Sequence, residues 1–232
     1  MGFSVSNMPL SLIAACPTFR CDPRYYAAGV VANEAKVRSG EFFELGDFLP
    51  NPMVKGIQPS YLDAPTEDSV PVINTLSIQR LAINEESCRH MPREDFDDVD
   101  EQRKLTLKDV LLTMDGGVSI GKPVLFDKAG DYTADSHVSI LRPIGMEARS
   151  LVYLLASPLG QQQFRRAESG ASGQTAVTEE DIRRFIFPVS LLADLDSVVA
   201  DIETERTKIA KERDKLIARE AAAWMKLEKL VA

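Results

Sequence analysis

The feature that most constrains the fold of this chain is a column of apolar residues that repeats every seven positions near its C-terminus. The column four residues further along is apolar only at Val199 and Leu227, with charged residues between them, so the apolar seam is narrow. A lone helix with such a seam buries too little apolar surface to be stable, whereas a second helix packed on the seam forms a coiled coil. We therefore predict a long helix whose partner is the helix predicted within 22–39, a second copy of the chain, or a different protein. The repeating residues, which form the predicted interface, are Leu195, Ile202, Ile209, Leu216, Ala223 and Leu230.

The stretch GGVSIGK, residues 116–122, has the glycine and lysine spacing of a phosphate-binding P-loop. A P-loop needs a Ser or Thr after the lysine to hold magnesium, and a helix whose N-terminal amides cradle the phosphate. Here Pro123 follows Lys122, and the apolar run 124–126 ends in turn residues, which favours a strand. Paired glycines supply the positive φ that tight turns require. We therefore predict a β-hairpin that turns at 115–117, in place of a nucleotide site.

The composition is that of an ordinary globular protein, with 44% hydrophobic residues. No apolar run approaches the ~20 residues that a membrane helix needs, and no basic segment precedes the mildly apolar start of the chain. The odd number of cysteines, 3, fits a reducing compartment, so we expect a cytoplasmic protein. With only 2 histidines and no metal-like cysteine spacing, no metal site is expected.

The net charge of −8 argues against a nucleic-acid-binding protein, but the distribution of charge matters more than its sum. Residues 94–101 form one dense acidic block, and arginines are grouped further along the chain. A chain that is acidic overall can therefore still carry a basic face. The alternative is that both groups are solvated surface. The grouped arginines are Arg142, Arg149, Arg165, Arg166, Arg183 and Arg184.

Local signals predict an α+β fold in which short strands lie between helices. Residues 22–40 have a helical pattern that Gly40 ends, 70–75 read as a strand, and the acidic block reads as a loop. Ser157 before Pro158 is predicted to end one helix and cap the next. Thr178 is predicted to be the N-cap of a short helix, and Asp181 takes the capping-box position.

The order of several motifs is informative as a set. RCDPRYY is followed by VINTLSI, LTLKDVLLTMDGGVSIGKPVLF, SHVSILRP, YLLASPLGQQQFRRAESGASGQTAVTEEDIRRFIFPV and a long charged helix. From about Arg20 onward this series resembles a DNA-specificity (S) subunit of type I restriction-modification systems. That family usually carries two target-recognition domains separated by long helices, so this chain resembles a half-subunit with one such domain.

The resemblance implies three regions: an N-terminal segment and helix at 1–40, a DNA target-recognition domain of mixed strands at 41–189, and a coiled-coil helix at 190–232. S subunits of this family do no chemistry, so we expect no catalytic residue and no cofactor bound by this chain. They bind duplex DNA and dock adenine methyltransferase (M) subunits, which use S-adenosylmethionine, and indirectly the ATP-driven restriction (R) subunit. A homodimer formed through the helices would bind two identical, inverted half-sites at a fixed spacing.

DNA contact requires Arg or Lys for phosphates, and Arg, Asn, Gln or Ser for base edges. Candidates lie after the strand at 70–75, on the predicted hairpin, on the strand SHVSILRP, and at the end of a helix that leads into the Ser/Gly-rich stretch 169–174. The predicted DNA-binding residues are Asn74, Thr75, Ser77, Arg80, Lys122, Arg142, Arg165, Arg166, Ser169, Ser172 and Gln174.

Two other classes of function compete with this hypothesis. A hydrolase would use Cys88 and His90, which share one face of a strand, but no orienting acid accompanies them. A coiled-coil scaffold whose globular part binds protein and not DNA is favoured by the acidic charge. Salt dependence separates the two binding functions, because affinity for DNA held by Lys and Arg falls steeply with salt. A further variant keeps the DNA-reading role in another defence system with a different methyltransferase.

Overall fold

The computed structural model describes residues 10–14, 25–116, 119–171 and 174–231. The chain divides at Leu191 and Leu192 into two compact units. The first unit mixes strands and short helices, and the second is one long helix, so the predicted α+β class is confirmed. Within the described ranges, no helix is both long enough and apolar enough to cross a bilayer.

The helices differ greatly in length, from five residues to the 37 of the last one. Their bounds are α1 Leu10–Ala14, α2 Ala28–Arg38, α3 Arg93–Asp97, α4 Ala148–Ala156, α5 Pro158–Ala167, α6 Glu179–Arg183 and α7 Leu195–Val231.

The strands are two to four residues long and belong to the first unit. Their bounds are β1 Phe42–Glu44, β2 Val54–Lys55, β3 Val70–Ile73, β4 Ile78–Gln79, β5 Ala82–Ile83, β6 Arg89–Met91, β7 Val110–Thr113, β8 Pro123–Leu125, β9 Thr133–Ala134, β10 Val138–Leu141, β11 Ser169–Ala171, β12 Gln174–Ala176 and β13 Ile186–Pro188.

Two sheets form the centre of the first unit. One is antiparallel with strand order β2-β10-β7-β8, and the other has the order β6-β3-β9 with β3 and β9 parallel. Every residue of β7 and β10 is buried, which explains why both read as continuous apolar runs. The larger core cluster includes Leu111, Ile140 and Phe126, and a second cluster lies around Val72 and Met91.

Several local predictions are confirmed. The GGVSIGK stretch lies between β7 and β8, which pair as an antiparallel hairpin, and a strand follows it where a P-loop needs a helix. The Ser157 hydroxyl accepts the Gly160 N–H at the start of α5. Thr178 and Asp181 form a reciprocal capping box at α6. These features depend only on neighbouring residues, and that is why the sequence indicates them.

The acidic block does not form a loop, so that prediction is wrong. Its first part is helix α3, and its end is a 3-10 turn at Glu101–Arg103. Phe96 is only 4% exposed and packs in the cluster around Met91, which gives the segment a buried face. The N-terminal helix is also shorter than predicted: α2 begins at Ala28, while the predicted start at 22 lies outside the described residues.

Candidate nucleic-acid interface

Strand directions bring several connecting segments to one end of the two sheets. β3 and β9 run parallel and β6 runs against them, so the segments after β3 and β9 meet the start of β6. β10 follows directly after β9, and its antiparallel partner β7 therefore ends, and β8 begins, at this same end. We call this end the loop rim. It consists of residues 56–61, 74–77, 89, 114–122 and 135–137, apart from the undescribed 117–118.

Hydrogen bonds join the segments of the loop rim to one another. Ser136 donates its hydroxyl to Gln58 Oε1 at 3.0 Å, and the Ile57 N–H donates to a carbonyl of β9 at 2.8 Å. His137 Nδ1 lies 2.5 Å from Asp115 Oδ1. These bonds connect the segments 56–61, 114–122 and 135–137 to one another.

The Ser/Gly-rich stretch forms a hairpin that extends from the loop rim. β11 and β12 pair in antiparallel register, with Ser169 opposite Ala176. Asp115 of the rim forms a β-bridge with Ala176, and Val177 donates its N–H to the Met114 carbonyl at 2.9 Å. The predicted flexible turn is thus a short hairpin whose base is held to the rim. Of the residues predicted here, Ser169 is exposed, whereas Ser172 and the side chain of Gln174 lie outside the described residues.

The loop between β7 and β8 is held against α5. Gly121 has φ of +74°, and a Cβ at this position would lie 2.7 Å from the Phe164 ring. Gln161 also donates its side-chain N–H to the Gly121 carbonyl at 2.7 Å. Lys122 follows with a half-buried side chain that forms no ion pair with a described residue. Arg165 of α5 is exposed and likewise has no ionic partner among the described residues. Both cations stay predicted DNA contacts.

The side chains of Asn74 and Ser77, two predicted DNA contacts, build a turn, and their contact with DNA stays a prediction. Asn74 is 5% exposed and its Oδ1 accepts the N–H groups of Leu76 and Ser77 at 2.8 and 3.0 Å. Ser77 is fully buried and donates its hydroxyl to the Asn74 carbonyl. The result of this turn is that Leu76 stands 77% exposed on the rim. Thr75 is half-buried in the same turn and stays a prediction.

Arg80 occupies an exposed position at the tip of another hairpin. β4 and β5 pair with Gln79 opposite Ala82, which leaves Arg80 and Leu81 as the two turn residues. Leu81 has φ of +59°, a conformation that L-residues other than Asn and Asp rarely adopt. Arg80 stays a predicted DNA contact.

Arg142, another predicted DNA contact, lies at the end of the four-stranded sheet opposite the loop rim and forms an internal ion pair. It follows β10, and Asp109 precedes the neighbouring strand β7. Its guanidinium donates to both Asp109 carboxylate oxygens, at 2.7 and 2.8 Å, and to the Gln102 carbonyl at 3.0 Å. Hydrogen bonding to Asp109 raises the pKa of Arg142.

Arg166, also a predicted DNA contact, makes contacts within the chain. It donates to the Glu34 carboxylate of α2 and lies over the Tyr25 ring, with 4.2 Å from its guanidinium carbon to the ring centroid. Its side chain is 19% exposed. Burial by itself would raise the pKa of Glu34, but hydrogen bonds from Arg38 and Arg166 outweigh burial and lower this pKa.

The predicted basic face is therefore reduced. Several of the grouped arginines neutralise carboxylates of the same chain and are not available as a continuous surface. The ion pairs are Arg142 with Asp109, Arg166 with Glu34, Arg183 with Glu179 and Arg184 with Glu180.

One exposed arginine on the loop rim was absent from the sequence-based candidates. Arg89, the first residue of β6, lies on the ring of Tyr61. Arg89 is the middle residue of the triplet CRH, and no periodicity or motif marks it, because its contact joins segments 28 residues apart in the sequence.

The α7 helix is continuous, and its apolar column is largely exposed. Ile202, Ile209 and Leu216 are 40%, 66% and 52% exposed. Leu195 is half-buried, Ala223 is exposed, and the side chain of Leu230 lies outside the described residues. The prediction missed a second set of apolar residues, which follows the predicted column by one position along the helix. Its members Ile217 and Trp224 are 55% and 60% exposed. The signal was the same seven-residue spacing.

The hydrolase alternative finds no support in the contacts of its two candidates. The Cys88 thiol is half-buried, burial raises its pKa, and it points to the Asn84 carbonyl at 3.8 Å. His90 Nδ1 lies 3.0 Å from the Ser69 hydroxyl. Across the described ranges, no three His, Cys, Asp or Glu side chains are grouped as metal ligands.

An α+β domain with a loop rim, followed by a long helix with an exposed apolar column, is thus the architecture of this chain. No family model and no curated protein matches its sequence. The S subunit of the type I restriction-modification system of M. genitalium is similar in structure, with 12% identity and a TM-score of 0.48 over 71% of this chain and 38% of that chain.

Two other solved structures are similar. The HsdS subunit of Thermoanaerobacter tengcongensis has 15% identity and a TM-score of 0.48 over 87% of this chain and 49% of that chain. A chain from a structure on complex assembly and conformational transition of the type I R-M system has 14% identity and a TM-score of 0.47, over 87% and 47%. This chain spans less than half the length of these three chains. Their names coincide with the family that the ordered motifs of the sequence resemble.

Proposed function

We propose that this chain is the DNA-recognition part of a type I restriction-modification assembly, and that its loop rim binds duplex DNA. The observation that carries this proposal is the convergence of connecting segments and the β11–β12 hairpin at one end of both sheets. A two-stranded ribbon fits the DNA major groove. Lys122 and Arg165, which have no ionic partner among the described residues, supply cations for the flanking phosphates.

The second part of the proposal concerns α7. A helix of 37 residues is about 55 Å long, and its exposed apolar residues need a partner helix. That partner is a second copy of the chain, an M subunit, or both along different parts of the helix. Pairing of two copies produces a binding unit for a bipartite DNA site, to which the M subunit brings S-adenosylmethionine and the R subunit brings ATP. The chain itself carries out no chemistry.

A protein-binding scaffold is the second candidate function. It is favoured by the internal neutralisation of several arginines, which leaves the net charge of −8 without a continuous basic face. A scaffold needs no cations on the loop rim, whereas a DNA-binding protein does.

The proposal that the loop rim binds duplex DNA is tested by selecting sequences from random duplex DNA. The selection is made once with the protein by itself and once with the protein and its M subunit. We expect a bipartite motif with identical inverted halves; unlike halves would mean that another recognition domain supplies the second half.

Lys122→Ala and Arg165→Ala should each reduce the slope of log K for DNA binding against log salt concentration by about 0.9. Lys36→Ala, which removes an exposed cation of α2, is the matched control and should leave the slope unchanged. No enrichment in either selection would favour the scaffold.

The role of α7 is tested by replacing Ile209 and Leu216 with lysine. We expect the dimer or the complex with the M subunit to dissociate, because two charges would be buried in the helix contact. Lys211→Ala, on an exposed polar position of the same helix, is the control. An intact assembly after the double change, measured by light scattering, would remove the apolar column from the interface.

A further inference from the structure

Arg89 and Tyr61 form a stacked pair on the loop rim. The guanidinium carbon of Arg89 lies 3.4 Å from the centroid of the Tyr61 ring. This distance is that of two planar groups in contact, so the guanidinium lies on the face of the ring. Arg89 is exposed and forms no ion pair or side-chain hydrogen bond with the part of the chain that the structure describes. Its planar set of donors is therefore available to a ligand.

The pair is held in place by the core beneath it. In the β3–β6 ladder Arg89 is opposite Val72, and Met91, two residues further on, is opposite Val70. Val70, Val72 and Met91 are buried in one cluster, and Tyr61 packs against that cluster. Since the Tyr61 ring is fixed by apolar packing, the guanidinium plane is fixed as well. Such an arginine loses little conformational freedom when it donates two parallel hydrogen bonds.

The surroundings of Arg89 distinguish between possible ligands. Asp135, at the end of β9, interacts electrostatically with Arg89 and Tyr61, and Asp115 lies beside it through its contact with His137. Asp135 beside Arg89, and Asp115 beside Asp135, are carboxylates that oppose the approach of a phosphate. They do not oppose the edge of a base pair, which is neutral and carries both acceptors and donors.

We propose that Arg89 reads a guanine in the major groove, by donating hydrogen bonds from its guanidinium to the guanine O6 and N7 atoms. Arginine pairs with these two acceptors more often than with any other base feature, because the spacing of its donors matches them. Tyr61 is the positioning residue that holds the guanidinium plane. This assignment rests on the proposed DNA-binding function and names the residue that determines one position of the target.

The experiment compares selected DNA motifs for the wild type, Arg89→Ala, Arg89→Lys and Tyr61→Leu. We expect one guanine per half-site to lose its preference in all three variants while the other positions keep theirs. For the wild-type site, affinity should fall on the order of tenfold to a hundredfold with Arg89→Ala. Arg89→Lys keeps the charge but lacks the planar pair of donors, so it should not restore the guanine. Tyr61→Phe keeps the ring and should behave as the wild type.

Arg103→Ala is the matched control, because Arg103 is an exposed arginine beyond the opposite edge of the same sheet, next to β9. It removes the same charge and should leave the motif unchanged. A uniform loss of affinity for all sequences with a salt slope smaller by about 1 would identify a phosphate contact and overturn the proposal. An unchanged motif in Arg89→Ala would also overturn it. If the wild type itself selects no motif, the proposed function fails together with this assignment, whereas a wild-type motif that ignores Arg89 defeats only the assignment.

Discussion

Arg142 and Asp109 are joined by two hydrogen bonds across neighbouring strands, from Nε to Oδ1 at 2.7 Å and from Nη2 to Oδ2 at 2.8 Å. The Asp109 side chain is 3% exposed, whereas that of Arg142 is 37% exposed. The arginine therefore compensates a carboxylate that has little access to water. Its position in the sequence suggested a DNA contact, and its role in the fold is to neutralise this buried charge.

Arg142→Ala should lower the free energy of unfolding by on the order of 2–3 kcal/mol, because it leaves the Asp109 carboxylate buried without its partner. Urea unfolding measures this loss. The affinity of the folded variant for DNA should equal that of the wild type. A stable variant with weakened DNA binding would return Arg142 to the interface.

Asn74→Ala should destabilise the protein by about 1–3 kcal/mol, because the buried Ser77 N–H and the part-buried Leu76 N–H lose their acceptor. Leu76→Ser changes an exposed side chain of the same turn and should stay within about 0.5 kcal/mol of the wild type. Thermal or urea unfolding compares the two. Equal stability of both variants would contradict the structural role of Asn74.

Gly121→Ala should destabilise the protein by about 1–3 kcal/mol, because the added Cβ meets the Phe164 ring at 2.7 Å and the backbone has a positive φ. Gly29 in α2 has no atom within 4 Å of the same added Cβ. Gly29→Ala is thus the matched control, and we expect it to stabilise the protein by up to about 1 kcal/mol, from helix propensity. Differential scanning calorimetry should show melting temperatures that shift in opposite directions.

The Glu34 carboxylate should make stability depend on pH in the acid range. Its pKa is lowered in the folded protein, so its contribution is present above its unfolded value and is lost as the pH falls through the folded value. Glu34→Gln should therefore reduce the free energy of unfolding at pH 7, and the difference from the wild type should shrink below about pH 4. A double-mutant cycle with Arg166→Ala isolates the pair, and its coupling energy should vanish over the same range. Coupling that persists at low pH would assign the effect to packing.

Features that depend on short stretches of sequence were predictable. The hairpin of β7 and β8, the Ser157 cap and the Thr178 capping box follow from turn and cap residues beside apolar runs. The long helix α7 follows from its seven-residue column. For the hairpin and the caps, the stabilising contacts are made within a few residues, and for α7 the hydrophobic period itself indicates the helix.

Which arginine side chains are free to contact a ligand depended on contacts between segments that are distant in the sequence. Arg142 and Arg166 are engaged by carboxylates 33 and 132 residues away, and Arg89 was brought to the loop rim by strand pairing. An arginine has the same sequence signature whether it meets a carboxylate, a ring or solvent.

The sequence by itself determined the α+β class, the turn positions, the helix caps and the long C-terminal helix, since each follows from local backbone preference and hydrophobic periodicity. The tertiary structure decided which polar groups are free to bind. Burial and pairing use the same Asn, Ser and Arg side chains as recognition, and only the packing of strands and helices distributes them between the two roles.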